Sequence, residues 1–218
     1  MARFQQDGDY ESPVVSFLEL MFNLMVLNVL WVICSLPVVT IGVSTAALDY
    51  TCIKMRNDEG DSVVRMFFHS FGQNIRQGAI LGTGMIAVLI ILTAFLIQAA
   101  GSAAAGQAFY AFAAVIVMIL IFAWLLLFIY LFMVLSRFEN TAFRTLTNAV
   151  YLIIRDPGRA LKVFGIAVMM LIILPYFLFS FFPYGFPMVT FFGIPATAWL
   201  LSKHFNQLFD SVIAEQAG

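Results

Sequence analysis

Charge is scarce in this 218-residue chain, where Asp, Glu, Lys and Arg make up 11% of residues against about 25% in a soluble domain. The net charge of -1 leaves no basic field for nucleic acid. The two cysteines, Cys34 and Cys52, form no CxxC pair and have no histidine beside them, which argues against a metal site or redox couple and reads both as small hydrophobes. His69 and His204 are far apart and lack a neighbouring carboxylate motif, so interfacial anchoring is their expected role. No Ser, His and Asp constellation, phosphate-cradling glycine loop or HExxH signature is present. Neither catalysis nor a cofactor is expected.

What the chain has in abundance is apolar surface: 62% of its residues are hydrophobic, and its mean hydropathy is +0.97. A soluble core of this size has no room to hide so much. The expectation is an all-α polytopic transmembrane bundle over residues 1–218, a single membrane domain. Five apolar stretches have the length or flanks of spans: Phe17 to Val39, Gly78 to Ala100, Ala108 to Leu135, Val163 to Phe182 and Pro187 to Leu201. The last is short and contains Pro195, but its pattern runs on through Phe205, Leu208, Phe209 and Val212, as if one helix leaves the bilayer and continues. The acidic start, with Asp7, Asp9 and Glu11, is not expected to act as a signal peptide.

Lysine and arginine set the expected orientation, because basic short loops stay cytoplasmic. The connection after the first span carries Lys54, Arg56, Arg65 and Arg76, and the one after the third carries Arg137, Arg144, Arg155, Arg159 and Lys162. The uncharged connections Gly101 to Gln107 and Pro183 to Phe186 suit outer hairpins. The N-terminus is then outside and the C-terminus cytoplasmic.

Both basic connections show helical amphipathicity. Val64, Phe67, Phe68, Phe71 and Ile75 form an apolar stripe opposite Arg65, His69, Gln73 and Arg76. Phe143, Leu146, Val150 and Ile153 likewise oppose Arg144, Asn148, Tyr151 and Arg155. Two interfacial helices are expected, with Arg65, Arg76, Arg144, Arg155 and Arg159 facing lipid headgroups. Each then meets a polar breaker, the first at Asn74 and the second at Asp156 with Pro157. The same unit therefore recurs in 17–100 and 108–182, with a last span and tail at 187–218. Gly78, Gly82 and Gly84 read as a close-packing helix face, and a homo-oligomer through it is one arrangement to test.

The segment from Asn28 to Tyr50, NVLWVICSLPVVTIGVSTAALDY, is the most distinctive. Pro37 kinks or ends the first span, and Thr40, Gly42, Ser44 and Thr45 satisfy freed backbone groups or cap a new helix from Ala46. The pattern of Asn28, Leu36, Pro37, Thr40, Gly42 and Ala46, followed by Phe67, Phe71 and Asn74, resembles the YesL-like family of small bacterial membrane proteins, with its domain of unknown function 624. The resemblance extends to TNAVYLIIRDPGRAL, Thr147 to Leu161; Val43 departs from it, standing where proline or alanine is usual. It implies a plasma-membrane protein similar to those encoded beside carbohydrate ABC importers, and no established activity.

Ionisable groups deep in a span flag a transporter. The expected spans lack them, since Glu19 and Gln98 are shallow. The aromatic cluster from Tyr176 to Phe186 reads as an outer belt. Two functions follow as expectations: an accessory or regulatory subunit beside an ABC permease or other membrane protein, or a self-contained carrier for a small neutral solute or lipid.

Overall fold

A computed structural model describes residues 13–57, 62–138, 141–173, 175–176, 180 and 185–217. Among the described residues every element is helical, with seven α-helices. They are α1 (Pro13–Cys34), α2 (Ile41–Arg56), α3 (Val63–Ala104), α4 (Ala108–Arg137), α5 (Ala142–Arg155), α6 (Pro157–Val168) and α7 (Gly185–Ala217). A 3-10 turn, Val38–Thr40, precedes α2, and a π-helical turn, Met169–Ile173, continues α6.

Three helices are long and apolar enough to cross a membrane: α1 over Val14–Cys34, α3 and α4. The protein is therefore read as a multi-pass membrane protein, with lipid against its outer faces. The expected fourth span, Val163 to Phe182, is described continuously only as far as Ile173, and most of the aromatic cluster lies outside the described residues. The stretch Pro187 to Leu201 sits inside α7, which passes through Pro195 without ending and runs on past Leu201.

The first break falls where proline chemistry puts it. α1 stops at Cys34, three residues before Pro37, and the hydroxyl of Thr40 donates to the carbonyl oxygens of Cys34 (2.6 Å) and Pro37 (2.7 Å). The threonine thus caps the helix that ends, with no side-chain cap on the helix that begins. That new helix starts at Ile41, five residues earlier than the sequence suggests, so Ala46 is interior to α2.

The second expected break is absent. Asn74 lies within α3, one helix of 42 residues, roughly 63 Å at 1.5 Å per residue. Its amide donates to the carbonyl (3.1 Å) and hydroxyl (3.2 Å) of Ser70, a turn back, and so leaves the helix intact. The first amphipathic segment is a rigid extension of the second span, and the first copy of the proposed repeat lacks its capped turn. Its buried face is Val63, Met66, Phe67 and Ser70, rotated from the expected stripe; Val64, Phe68 and Ile75 are exposed. In the second connection the break is real. Asp156 Oδ1 accepts from the Arg159 amide at 2.9 Å, Pro157 fills the first helical position, and α5 and α6 are separate.

α2 is the centre of the bundle, packed against α1, α3, α4 and α7. It is also the least hydrophobic of the helices that meet there, rich in Gly, Ala, Ser and Thr. Small side chains let neighbours approach closely, which drives packing where the hydrophobic effect offers little. One apolar cluster joins α4, α5, α6 and α7 through residues such as Tyr130, Leu152, Val163 and Phe205; a second joins α1, α2, α3 and α7 through Leu27, Leu48, Phe67 and Ala198. By contrast, the distal half of the α3–α4 hairpin, with Ile97, Phe109 and Phe112, exposes its apolar side chains, as a lipid-facing surface does.

Candidate functional site

The closest helix approach is made by three glycines. A Cβ on Gly42 would overlap the Gly78 carbonyl oxygen and stand 2.8 Å from Gly82 Cα and from Phe132 Cε1. Cβ atoms on Gly78 and Gly82 would fall 2.9 Å from the Cα atoms of Val43 and Gly42 respectively. The Gly78 and Gly82 face is therefore consumed inside the chain, against α2, and is closed to a second copy; Gly84 faces open space. Gly42 is needed for close approach and not for a positive φ, which among the described glycines occurs at Gly106. Val43 is fully buried in the same crossing.

One turn beyond that crossing, α2 places Thr45, Leu48 and Asp49 on the wall of a cavity of about 320 Å³. Trp31 of α1, Phe128 and Phe132 of α4, Phe164 of α6 and Thr197 of α7 complete the frame. Most of its polar groups are already engaged. Trp31 Nε1 donates to Thr45 Oγ1 (3.2 Å), which donates to the Ile41 carbonyl (2.8 Å), and Thr197 Oγ1 donates to the Gly193 carbonyl (2.7 Å). The exception is Asp49, only 6% exposed, whose carboxylate has no hydrogen-bond or ion-pair partner among the described residues. Burial holds its carboxyl well above the usual carboxylate range. Sequence reading missed this residue because α2, at 16 residues with Lys54 and Arg56 near its end, does not look like a membrane element. The expectation concerned the spans alone, and Asp49 lies outside them, on a helix that is not itself a span.

Two turns further on, the character of α2 reverses. Arg56 donates to Ser202 Oγ (2.7 Å) and to the Trp199 carbonyl, and its guanidinium lies 4.0 Å from the centre of the Trp199 ring. It borders a cleft of about 730 Å³ with Lys162, Lys203 and His204 over an apolar floor that includes Ile166, Met169 and Leu200. Burial first, then the cations Lys203, Arg159, Lys162 and Arg56, lower the His204 pKa from its ordinary 6.5. Partial burial likewise lowers that of Arg56. The cleft sits where the chain's connections converge, since Asn206 Nδ2 donates to Asn57 Oδ1 (2.7 Å) and Phe138 meets Phe209 at 5.3 Å.

Of the other residues singled out in the sequence, Asn28 is buried on α1, Pro37 is exposed at the break, and Ala46 is buried against Phe132 and Leu135. Arg65, Arg76 and Arg144 are exposed and stand outside the cleft, whereas Arg159 is half-buried near it and paired with Asp156 at 3.4 Å. The five arginines do not form one site.

The profile of the family described as "Protein of unknown function, DUF624" matches residues 24–94. Those residues are a DUF624 family domain. No curated protein and no solved structure matches the chain. The DUF624 domain takes in the break at Pro37, the glycine crossing, Asp49, Arg56 and most of α3, while Thr147 to Leu161 lies outside the match. It therefore supplies the α1 and α2 walls of the cavity and one cation of the cleft; α4, α6, the π-helical turn and α7 supply the rest.

Proposed function

We propose that this is a non-catalytic accessory or regulatory subunit of carbohydrate import machinery of the ABC type, and not the carrier of the sugar. The observation that carries the reading is the poverty of hydrogen-bonding groups in the cavity, where, among the described residues, Thr45, Thr197 and Trp31 are already engaged and Asp49 alone is left. A sugar buried there would leave most hydroxyls unsatisfied, at about 1–3 kcal/mol each. The link to carbohydrate import rests on the family resemblance. The cationic cleft and the exposed arginines supply surfaces for acidic partners or lipid headgroups. In this reading both basic connections and the C-terminus face the cytoplasm, with the N-terminus outside and a plasma-membrane location.

A self-contained carrier is the second reading, favoured for a lipid or other apolar solute by the same apolar walls. Purification from native membranes in mild detergent separates the two. Stoichiometric retention of an ABC permease, with no sugar counterflow in vesicles holding this protein alone, is the expected result. Counterflow without a retained partner would overturn it. Orientation is tested in a variant freed of Cys34 and Cys52: a cysteine at Asn57 is expected to escape an impermeant thiol reagent in intact cells, and one at Ser102 to react.

A further inference from the structure

We infer that the Asp49 cavity is a binding site for a small organic cation with an apolar body, which takes the place of a proton on the carboxylate. The inference stands apart from the accessory reading, since either kind of protein could hold such a ligand.

Three observations meet at this place. First, Asp49 is only 6% exposed and lines the cavity with no donor or cation upon it among the described residues. An isolated carboxylate in apolar surroundings is costly, and the cost is relieved by a proton or by a counter-cation. Second, the walls are aromatic and aliphatic. Trp31, Phe128, Phe132 and Phe164 bring four rings to the cavity, and ring faces attract a desolvated organic cation. Trp31 is held in place by its hydrogen bond to Thr45. Third, the volume of about 320 Å³ suits a compact organic molecule, and far exceeds what one proton or water needs.

Other occupants fit less well. A metal ion needs several ligands, and no group of three or more His, Cys, Asp or Glu occurs among the described residues. An anion meets the wrong charge. A neutral solute can donate a hydrogen bond to Asp49 but brings no counter-charge to the ionised carboxylate.

The titratable surroundings are simple enough for the exchange to be measured. On α2 itself the neighbours are Cys52, fully buried one turn on, and Arg56 two turns on. From α1, α4, α6 and α7 the described residues lining the cavity are Trp31 and aliphatic, aromatic, alanine, methionine or threonine side chains, none of which titrates in the working range. When the site is protonated, binding one cation releases one proton: the acid O–H breaks, the carboxylate stays as counter-ion, and the proton goes to buffer.

The experiment uses the purified full-length chain in detergent, with labelled benzyltrimethylammonium in equilibrium dialysis and its uncharged carbon isostere, neopentylbenzene, as control. Cation binding is expected to strengthen as pH rises, about tenfold per unit while the site remains protonated, and to release protons in weakly buffered solution. Binding of the isostere is expected to ignore pH. Asp49→Asn is expected to weaken cation binding at least about tenfold while leaving the isostere unaffected, which also shows that the variant is folded. Asp49→Glu should retain the preference for charge. Equal affinity for cation and isostere, cation binding that ignores pH, or an Asp49→Asn variant that binds the cation normally would each overturn the inference, as would no cation binding at any pH.

Discussion

The middle and the C-terminal end of α2 solve opposite electrostatic problems within one short helix. At Asp49 a single carboxylate is set among apolar walls with no partner among the described residues, whereas at Arg56 several positive groups gather around an opening and one of them is pinned by a hydroxyl, a carbonyl and an indole ring. The first arrangement is costly for the ion and therefore selective for whatever removes the cost. The second is tolerable because water reaches it. Burial decides how sharply a charge acts, and along α2 burial changes over two helical turns.

The comparison depends on α2 being seated deep in the bundle, so the largest effect is expected from unseating it. Gly42→Leu drives a side chain into the Gly78 carbonyl, Gly82 and Phe132, two of which are rigid backbone. Overpacking costs about 1–3 kcal/mol even where neighbours yield, and here they cannot. Loss of monodisperse protein on size-exclusion chromatography is expected, while Val38→Leu, at an exposed position, behaves as wild type. Equal tolerance of both would mean the crossing does not hold α2 in place.

A smaller effect is expected at Asp49 itself. Its native pKa is raised above the ordinary 3.8, so the native state holds its proton more tightly than the unfolded chain. The stability this contributes is fully present below pH 3.8 and is lost as pH rises through the native value, at about 1.4 kcal/mol per unit within that window. Asp49→Asn removes this dependence. Denaturation midpoints across pH should therefore show the variant gaining on wild type as pH rises, and parallel curves would refute a buried carboxyl.

The smallest effect belongs to the cationic cleft at the C-terminal end of α2. His204 should titrate below 6.5 by NMR, and Lys162→Gln with Lys203→Gln should move it upward, because two of the cations that depress it are gone. An unmoved His204 would mean that these two lysines do not act on it, and would weaken the contrast with Asp49.

How much of this was legible beforehand varied with what each residue is solvated by. The lipid-facing lengths of α1, α3 and α4 were readable because hydrocarbon requires a continuous apolar run. The cap at Asp156 and Pro157 was readable because it is built from adjacent residues. Asn74 misled, since a polar residue marks a break only when its side chain bonds the next helix, and this one bonds back to Ser70.

The sequence by itself determined the membrane class, the helical content, a kink or end at Pro37, the capped start of α6 and the small-residue face at Gly78 and Gly82. Each follows from hydropathy, or from bonding and steric rules that act within a few residues. Only the tertiary structure decided that α2 is the hub, that the glycine face closes against Gly42 inside one chain, and that Asp49 and Arg56 occupy opposite environments. In a membrane bundle the centre need not be more apolar than the outside, so hydropathy cannot locate it. Contacts between α2 and helices far along the chain do so instead.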